Sequence, residues 1–271
     1  MKTWAKIFST LVYIFLYAPI LVLIIFSFNE SKSTTRFTGF TFHWYSDLFS
    51  PGNELLSLLL NTLIIAVLSS LIATVLGTAA AIGIHSMKKR IRSLVLTISN
   101  IPMTNPEIVT GVSLALLFAF IGTILKVSDI LGFWTLLIAH ITFNLPYVIL
   151  SVMPKLRQID PHLGEAAMDL GCKPAQSFFK VVLPQIMPGV FSGLIMAFTL
   201  SLDDFIISYF AFGPSFVTLP LAIYNYTKKP MPPSVYSLFT IMFFVILLMM
   251  VVMNLIQARD EKKIRQRNAI R

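Results

Sequence analysis

Six long apolar blocks, separated by shorter polar stretches, organise the 271 residues: about Ile7–Phe28, Leu58–Ile84, Leu94–Ile121, Leu131–Val152, Ile186–Phe212 and Val235–Ile256. An α-helix needs about 20 residues to cross the hydrocarbon core of a bilayer, and each block meets that length. Strands of a membrane barrel would show shorter segments of alternating polarity. The pattern predicts an all-α membrane protein, with six transmembrane helices in a single domain over residues 1–271.

Composition agrees with this class. Hydrophobic residues make up 56%, charged residues 12%, and the mean hydropathy is +0.81. A soluble domain carries roughly twice that charged fraction. Lys2 and Lys6 resemble the basic start of a secretory signal, but the first block outlasts the ~7–15 apolar residues of such a signal, and no small-x-small site follows Phe28. The first block is therefore expected to remain as a helix.

Charge sets the expected orientation. An even number of crossings puts both termini on one side, with Lys88, Lys89, Arg90, Arg92, Lys155, Arg157, Lys173, Lys180 and the basic tail from Arg259 to Arg271. Only Lys32, Arg36, Lys126, Lys228 and Lys229 fall on the other side. Positive charge gathers on cytoplasmic loops, so both termini are expected inside the cytoplasmic membrane. That bias accounts for the net charge of +9, and the tail reads as an anchor near anionic lipid rather than a nucleic-acid arm.

Metal and thiol chemistry find no footing. Cys172 is the single cysteine, and His43, His85, His140 and His162 lie in four different segments without ligand spacing. His140 reads as a hydrogen-bonded interior residue, because polar side chains at membrane depth face the bundle.

The inward loop Met153–Gln185 is well punctuated. Asp160 suits an N-cap and Pro161 a first helical position, so a short helix should run through Leu163, Glu165, Ala166 and Ala167 and stop at Gly171 in the left-handed conformation. Pro174 should start a second helix carrying Phe178, Phe179 and Val182, with Pro184 and Pro188 marking a bend into the fifth block. Such a knob suits docking into a soluble partner, or alternatively covers the bundle. Glu165-Ala166-Ala167, then Gly171, Val181 and Leu183-Pro184, resemble the EAA loop of binding-protein-dependent ABC importer permeases, with Val181 where isoleucine is usual. The resemblance implies a type I (MetI-like) importer permease fold in which Glu165, Ala166, Ala167 and Gly171 couple to an ATPase. The chain itself has no GxxxxGK[ST] phosphate loop, so ATP and Mg are expected on that separate subunit, and no cofactor is expected in this chain.

Three acids fall inside apolar blocks, each at a cost of roughly 2.5–3.5 kcal/mol near a helix centre. Glu107 lies 13 residues into the third block, within Pro102-Met-Thr-Asn-Pro106-Glu107, where two prolines interrupt the helix. Asp203 and Asp204 lie near the outer end of the fifth, and Ala197, Ser201, Asp204 and Ser208 share one helical face. No lysine or arginine sits in the centres of these blocks, which suggests that the compensating positive charge arrives with a cargo. Alternatively the acids are protonated, or bonded within the bundle. Ser201-Leu-Asp-Asp204, Ser208, Phe210, Gly213-Pro214, Leu219-Pro220 and Ile223-Tyr224 are similar to the corresponding stretch of spermidine/putrescine permeases. Phe40-Thr-Phe-His-Trp44-Tyr45, Gly132-Phe-Trp134 and His140-Ile-Thr-Phe143 extend that similarity over nearly the whole chain. Glu107 stands where those permeases carry the shorter aspartate, which keeps the charge and changes its reach.

The resemblance implies a polyamine path through Trp44, Glu107, Ser201, Asp203 and Asp204. Trp44 either meets an ammonium by cation–π attraction or serves with Tyr45 as an interfacial belt residue. It also implies four kinds of neighbour: a second permease in a pseudo-symmetric heterodimer, two ATPase subunits, an extracytoplasmic binding protein, and lipid. Two other readings stay open: an ABC permease for another solute, and a proton-coupled secondary transporter that uses the acids as relays. An intramembrane enzyme is disfavoured, because adjacent Asp203 and Asp204 cannot form a dyad from two helices, and GxGD, GxSxG and HExxH are absent.

Overall fold

Every regular element among the described residues is helical, as the apolar blocks predict. The computed structural model describes residues 2–32, 36–127, 129–160, 162–227, 231–248 and 250–251. In chain order the helices are α1 (Lys2–Phe26), α2 (His43–Leu48), α3 (Glu54–Ser86), α4 (Lys89–Thr104), α5 (Glu107–Leu125), α6 (Phe133–Gln158), α7 (Leu163–Asp169), α8 (Pro174–Ser177), α9 (Leu183–Asp203), α10 (Ile206–Ala211), α11 (Leu219–Thr227) and α12 (Pro233–Leu248). Five helical runs among them are long and apolar enough to cross a membrane: Trp4–Phe26, Glu54–Ser86, Glu107–Leu125, Phe133–Gln158 and Pro174–Asp203. α12 is a shorter apolar helix. The end of the expected sixth helix, Lys228, Lys229, Pro161 and the basic tail from Arg259 lie outside the described residues.

Two of the expected continuous helices are broken, and both breaks follow from local chemistry. The block Leu94–Ile121 divides at Asn105-Pro106. Asn105 is extended at ψ 145°, as a residue before proline prefers, and Pro106 cannot donate into a helix. Pro102 does not interrupt: it lies inside α4, a helix with no buried residue. Glu107 therefore opens α5 instead of lying thirteen residues into a longer helix. The block Ile186–Phe212 divides at Asp203-Asp204, where Asp204 is extended at ψ 121° and a new helix starts at Ile206.

The join into the fifth block, where a bend was expected, is a continuous helical run. α8 passes through a π-helical turn, Phe178–Val182, directly into α9. Pro184 and Pro188 lack the N–H groups that would hold a regular ladder across this join, and a wider turn absorbs the loss.

The chain forms two compact units, residues 1–57 with 226–271 and residues 58–225. In the first, α1 is exposed along almost its whole length, with Trp4 79% and Phe15 80% accessible. An all-round apolar helix of this kind suits lipid or another transmembrane subunit. The chain after it closes on itself: Phe28 stacks on Phe40 and Tyr45 with ring centroids 5.0 Å apart, and the Asn29 side chain binds the Arg36 carbonyl and the Thr38 amide.

The second unit is organised on α6. Val148 meets Gly77 of α3 on one side and Gly193 of α9 on the other. A Cβ at Gly77 would stand 2.7 Å from the Val148 side chain, so the close helix approach requires glycine there. Lipid offers no hydrophobic force between helices, and small residues let van der Waals contact hold them instead.

Candidate translocation site and coupling surface

The two helix breaks meet. Gly111, one turn into α5, lies against Phe210 and the Ile206 carbonyl of α10, and a Cβ on it would stand 2.8 Å from the Phe210 ring. This packing aligns the start of α5 with the start of α10. It brings Glu107 within electrostatic reach of both Asp204 and Asp203. Three acids separated by almost a hundred residues thus form one cluster, each at or beside the end of a broken helix. The amide-rich N-termini of α5 and α10 favour negative charge there.

The acids differ in surroundings. Glu107 and Asp203 are exposed on the surface of their unit. Asp204 is buried, at 8% accessibility. Its Oδ1 accepts the Ile207 amide at 3.2 Å and its Oδ2 the Ser208 amide at 2.8 Å, so it caps α10. His140 Nε2 lies 3.5 Å from the same Oδ2. The expectation that all three acids are left without protein partners is therefore corrected for Asp204: α10 and α6 compensate it. Among the described residues no lysine or arginine forms an ion pair with any of the three.

Ser201 is also turned inward. The face expected to carry Ala197, Ser201, Asp204 and Ser208 is buried against the unit's interior, with each residue at 8% accessibility or less. Ser201 Oγ lies 2.6 Å from His140 Nδ1 and 2.9 Å from Ser69 Oγ. His140 Nε2 lies 3.1 Å from Ser208 Oγ. Ser69, Ser201, His140 and Ser208 thus form one continuous chain of side-chain contacts that ends beside Asp204, whose Oδ2 takes the Ser208 amide. One relay ties α3, α9, α6 and α10 together, and His140 is its centre, as an interior hydrogen-bonding residue was expected to be.

Two residues after Asp203, Phe205 opens a group of aromatic rings the sequence reading did not single out. Phe205 packs on Tyr224 at 4.7 Å and on Tyr209 at 5.7 Å, while Tyr209 and Tyr224 are 46% and 41% accessible. The signal was the density of aromatics directly after Asp204, which resembles an ordinary apolar helix until the chain breaks at that point.

Trp44 belongs to the other unit. Its indole N–H donates to the Asn29 carbonyl at 2.7 Å, and its own carbonyl accepts from Ser237 on α12. It pins the loop after α1 to α12, leaving only its ring face for any cation.

The loop expected to couple opens its first helix at Leu163, with His162 instead of Asp160 at the N-cap, and otherwise keeps the expected form except at Ala167. Asp160 Oδ1 accepts the His162 amide, α7 follows, and Gly171 ends it at φ +93°, where the Cys172 amide bonds back to the Ala167 carbonyl. Ser177 on α8 donates to the Gly164 carbonyl at 2.8 Å and braces the two helices. Ala167 is buried by this packing, so it supports the knob rather than lining its surface. Glu165 and Ala166 are exposed, together with Leu170 at 88% and Phe179 at 64%, apolar residues the motif alone did not flag.

His162 Nδ1 lies 3.0 Å from Glu165 Oε2 on this surface. The hydrogen bond and charge of Glu165, with Asp160 nearby, raise the His162 pKa above 6.5. The imidazolium–carboxylate contact is fully present below that value and is lost as pH rises through the raised one. Histidine NMR should show His162 titrating above 6.5, and Glu165→Gln should bring it down; no change would sever the pair.

Residues 73–266 match the family described as the binding-protein-dependent transport system inner membrane component. The chain is 39% identical over 256 residues to the spermidine/putrescine transport system permease protein PotC of Escherichia coli K12, covering 94% of each chain. It is 36% identical to PotC of Haemophilus influenzae over 93% of this chain and 96% of that one. It is 34% identical to the E. coli putrescine transport system permease protein PotI over 96% and 92%. A chain of a bacterial ABC transporter that imports the acidic polysaccharide alginate superposes with a TM-score of 0.71 at 18% identity, covering 93% of this chain and 94% of that one, a likeness of fold. The helical architecture, the membrane-spanning runs and these similarities agree: this chain is a multi-pass membrane protein that belongs to the binding-protein-dependent transport system inner membrane component family.

Proposed function

We propose that this chain is one of two permease subunits of an ATP-driven importer that carries spermidine and putrescine into the cytoplasm. The whole of residues 1–271 acts as one permease domain with both termini inside. The single observation that carries the substrate is the convergence of Glu107 and Asp203, exposed and without lysine or arginine partners among the described residues, with Phe205, two residues from Asp203, packed on the rings of Tyr209 and Tyr224. Carboxylates and aromatic faces are the groups that replace water around an alkylammonium ion. An anionic cargo would be repelled by the same cluster. The names of the relatives point to the same class of solute.

In this reading a PotD-like binding protein delivers the amine from outside, and a PotB-like permease supplies the other half of the path. Two PotA-like ATPases bind ATP and Mg and grip the loop at Glu165, Ala166, Leu170 and Gly171. Asp203 and Glu107 offset part of the amine's desolvation while the path switches access, and weak multi-site binding permits release. Trp44 serves mainly as a loop anchor.

Proteoliposomes holding the two permeases and the ATPase, supplied with the binding protein, should accumulate labelled spermidine only with ATP inside the ATPase compartment, and vanadate should stop it. Uptake that follows a proton gradient and ignores vanadate would favour a secondary transporter. ATP-driven uptake of another solute, with spermidine and putrescine failing to compete, would move the substrate class.

A further inference from the structure

We infer that His140 is the positioning residue of the acid cluster: by holding Ser201 and Ser208 at its two ring nitrogens, it sets the break between α9 and α10 so that Asp204 faces inward and Asp203 faces the cargo. The inference deepens the reading of Asp203 as a cargo-facing group and rests on it.

Asp203 and Asp204 are adjacent on one backbone, so whichever of them is anchored decides where the other points. The Ile207 and Ser208 amides of α10 hold the Asp204 carboxylate, so the choice depends on how α10 is set against α9. That setting comes from α6. His140 is 1% accessible, and both ring nitrogens are engaged, one with the last turn of α9 at Ser201, the other with the first turn of α10 at Ser208 and with Asp204 beyond it. It is therefore bonded on both sides of the break. A helix interrupted inside an apolar block has free carbonyls and amides at the join, and its two halves keep a fixed angle only if side chains hold them.

General burial of polar groups on α6 does not explain this. Asn144, one turn further along the same helix, is 0% accessible, and neither atom of its amide has a hydrogen-bond partner among the described residues. The bonding is concentrated at His140, opposite the break. Ser69 of α3 backs it, so the relay is anchored on a fourth helix that, like α6, takes no part in the break.

The experiment uses the complete importer with His140→Phe, His140→Gln and His140→Asn. Glutamine places an N–H donor near the position of Nε2, whereas asparagine reaches only the Nδ1 side. His140→Phe should raise the half-saturating spermidine concentration about tenfold or more, with the maximal rate changing less than about threefold, the signature of a lost binding geometry. Glutamine should stay within about threefold of wild type, and asparagine should behave like phenylalanine. Adding Asp204→Asn to His140→Phe should cost little more, while adding Glu107→Gln should multiply the defects, because only Asp204 shares the relay.

A second readout does not depend on the cargo. In a Cys172→Ala background, Asp203→Cys should react quickly with a cationic methanethiosulfonate, and His140→Phe should slow that reaction about fivefold or more by turning the position away. Unchanged labelling overturns the inference, whatever the importer carries. So does a proportional fall in assembled complex and maximal rate across all three variants at constant half-saturation, which is the behaviour of a merely structural residue. Failure of the wild-type importer to take up any polyamine would instead sink the proposed substrate and leave the labelling result to decide His140.

Discussion

Asp203→Asn is expected to lower spermidine uptake about 10- to 100-fold while the amount of assembled importer stays unchanged, a loss of about 1.5–3 kcal/mol for one hydrogen bond to a charged group. The carboxylate is exposed on its unit and forms no ion pair with lysine or arginine among the described residues. Its removal therefore takes away charge from the path and leaves no orphaned partner inside the protein. Asp204→Asn should fail differently. The amide can accept at only one position, so either the Ile207 or the Ser208 amide loses its acceptor. A buried unsatisfied group costs about 1–3 kcal/mol, read as less folded permease and a lower melting temperature. Uptake normalised to assembled complex should fall less for Asp204→Asn than for Asp203→Asn. The opposite ranking, with normal assembly of both variants, would reverse the roles assigned to the two acids.

Leu170→Asp is expected to abolish ATP-driven uptake without unfolding the permease. Leu170 follows the last turn of α7, is 88% accessible and stands next to Gly171, whose positive φ turns the chain. An apolar residue so exposed on the loop that resembles a coupling motif is well placed to enter a groove on an ATPase. Burial of a leucine side chain contributes about 1.5–3 kcal/mol, and putting a charge there adds a desolvation cost. The ATPase should no longer co-purify, while the two permeases remain associated. Ala167→Leu makes the contrast: Ala167 is buried under the knob, so this change should disturb the loop itself and lower the stability of the permease. Retained ATPase binding in Leu170→Asp would exclude this face as the docking surface.

The membrane class and most helix positions were legible in the sequence, because they depend on local properties. The block Leu58–Ile84 became α3, and Leu131–Val152 became the body of α6. Gly171 took the left-handed conformation that its place after Leu170 called for. Pro106 was flagged as an interruption, yet Pro102 received the same weight and did not break α4. A proline near a helix end costs one hydrogen bond, and whether the helix survives depends on what the freed carbonyl finds nearby. The break at Asp203-Asp204 was not legible at all. An apolar block scores as one helix whether or not a pair of acids interrupts it, and the partners that stabilise the break, His140 and Ser69, lie more than sixty residues away along the chain.

The sequence by itself determined which segments are apolar and long enough to cross a membrane, where the loop's first helix ends, and that three carboxylates fall inside apolar blocks, since hydropathy, capping and charge are carried by neighbouring residues. Only the tertiary structure decided what each carboxylate does. Helical spacing put Asp204 on one face with Ala197, Ser201 and Ser208, but nothing local said whether that face lines a path or is buried. It is buried because α10 amides cap Asp204 and α6 sets an imidazole beside it, and a contact between distant helices is a fact of packing.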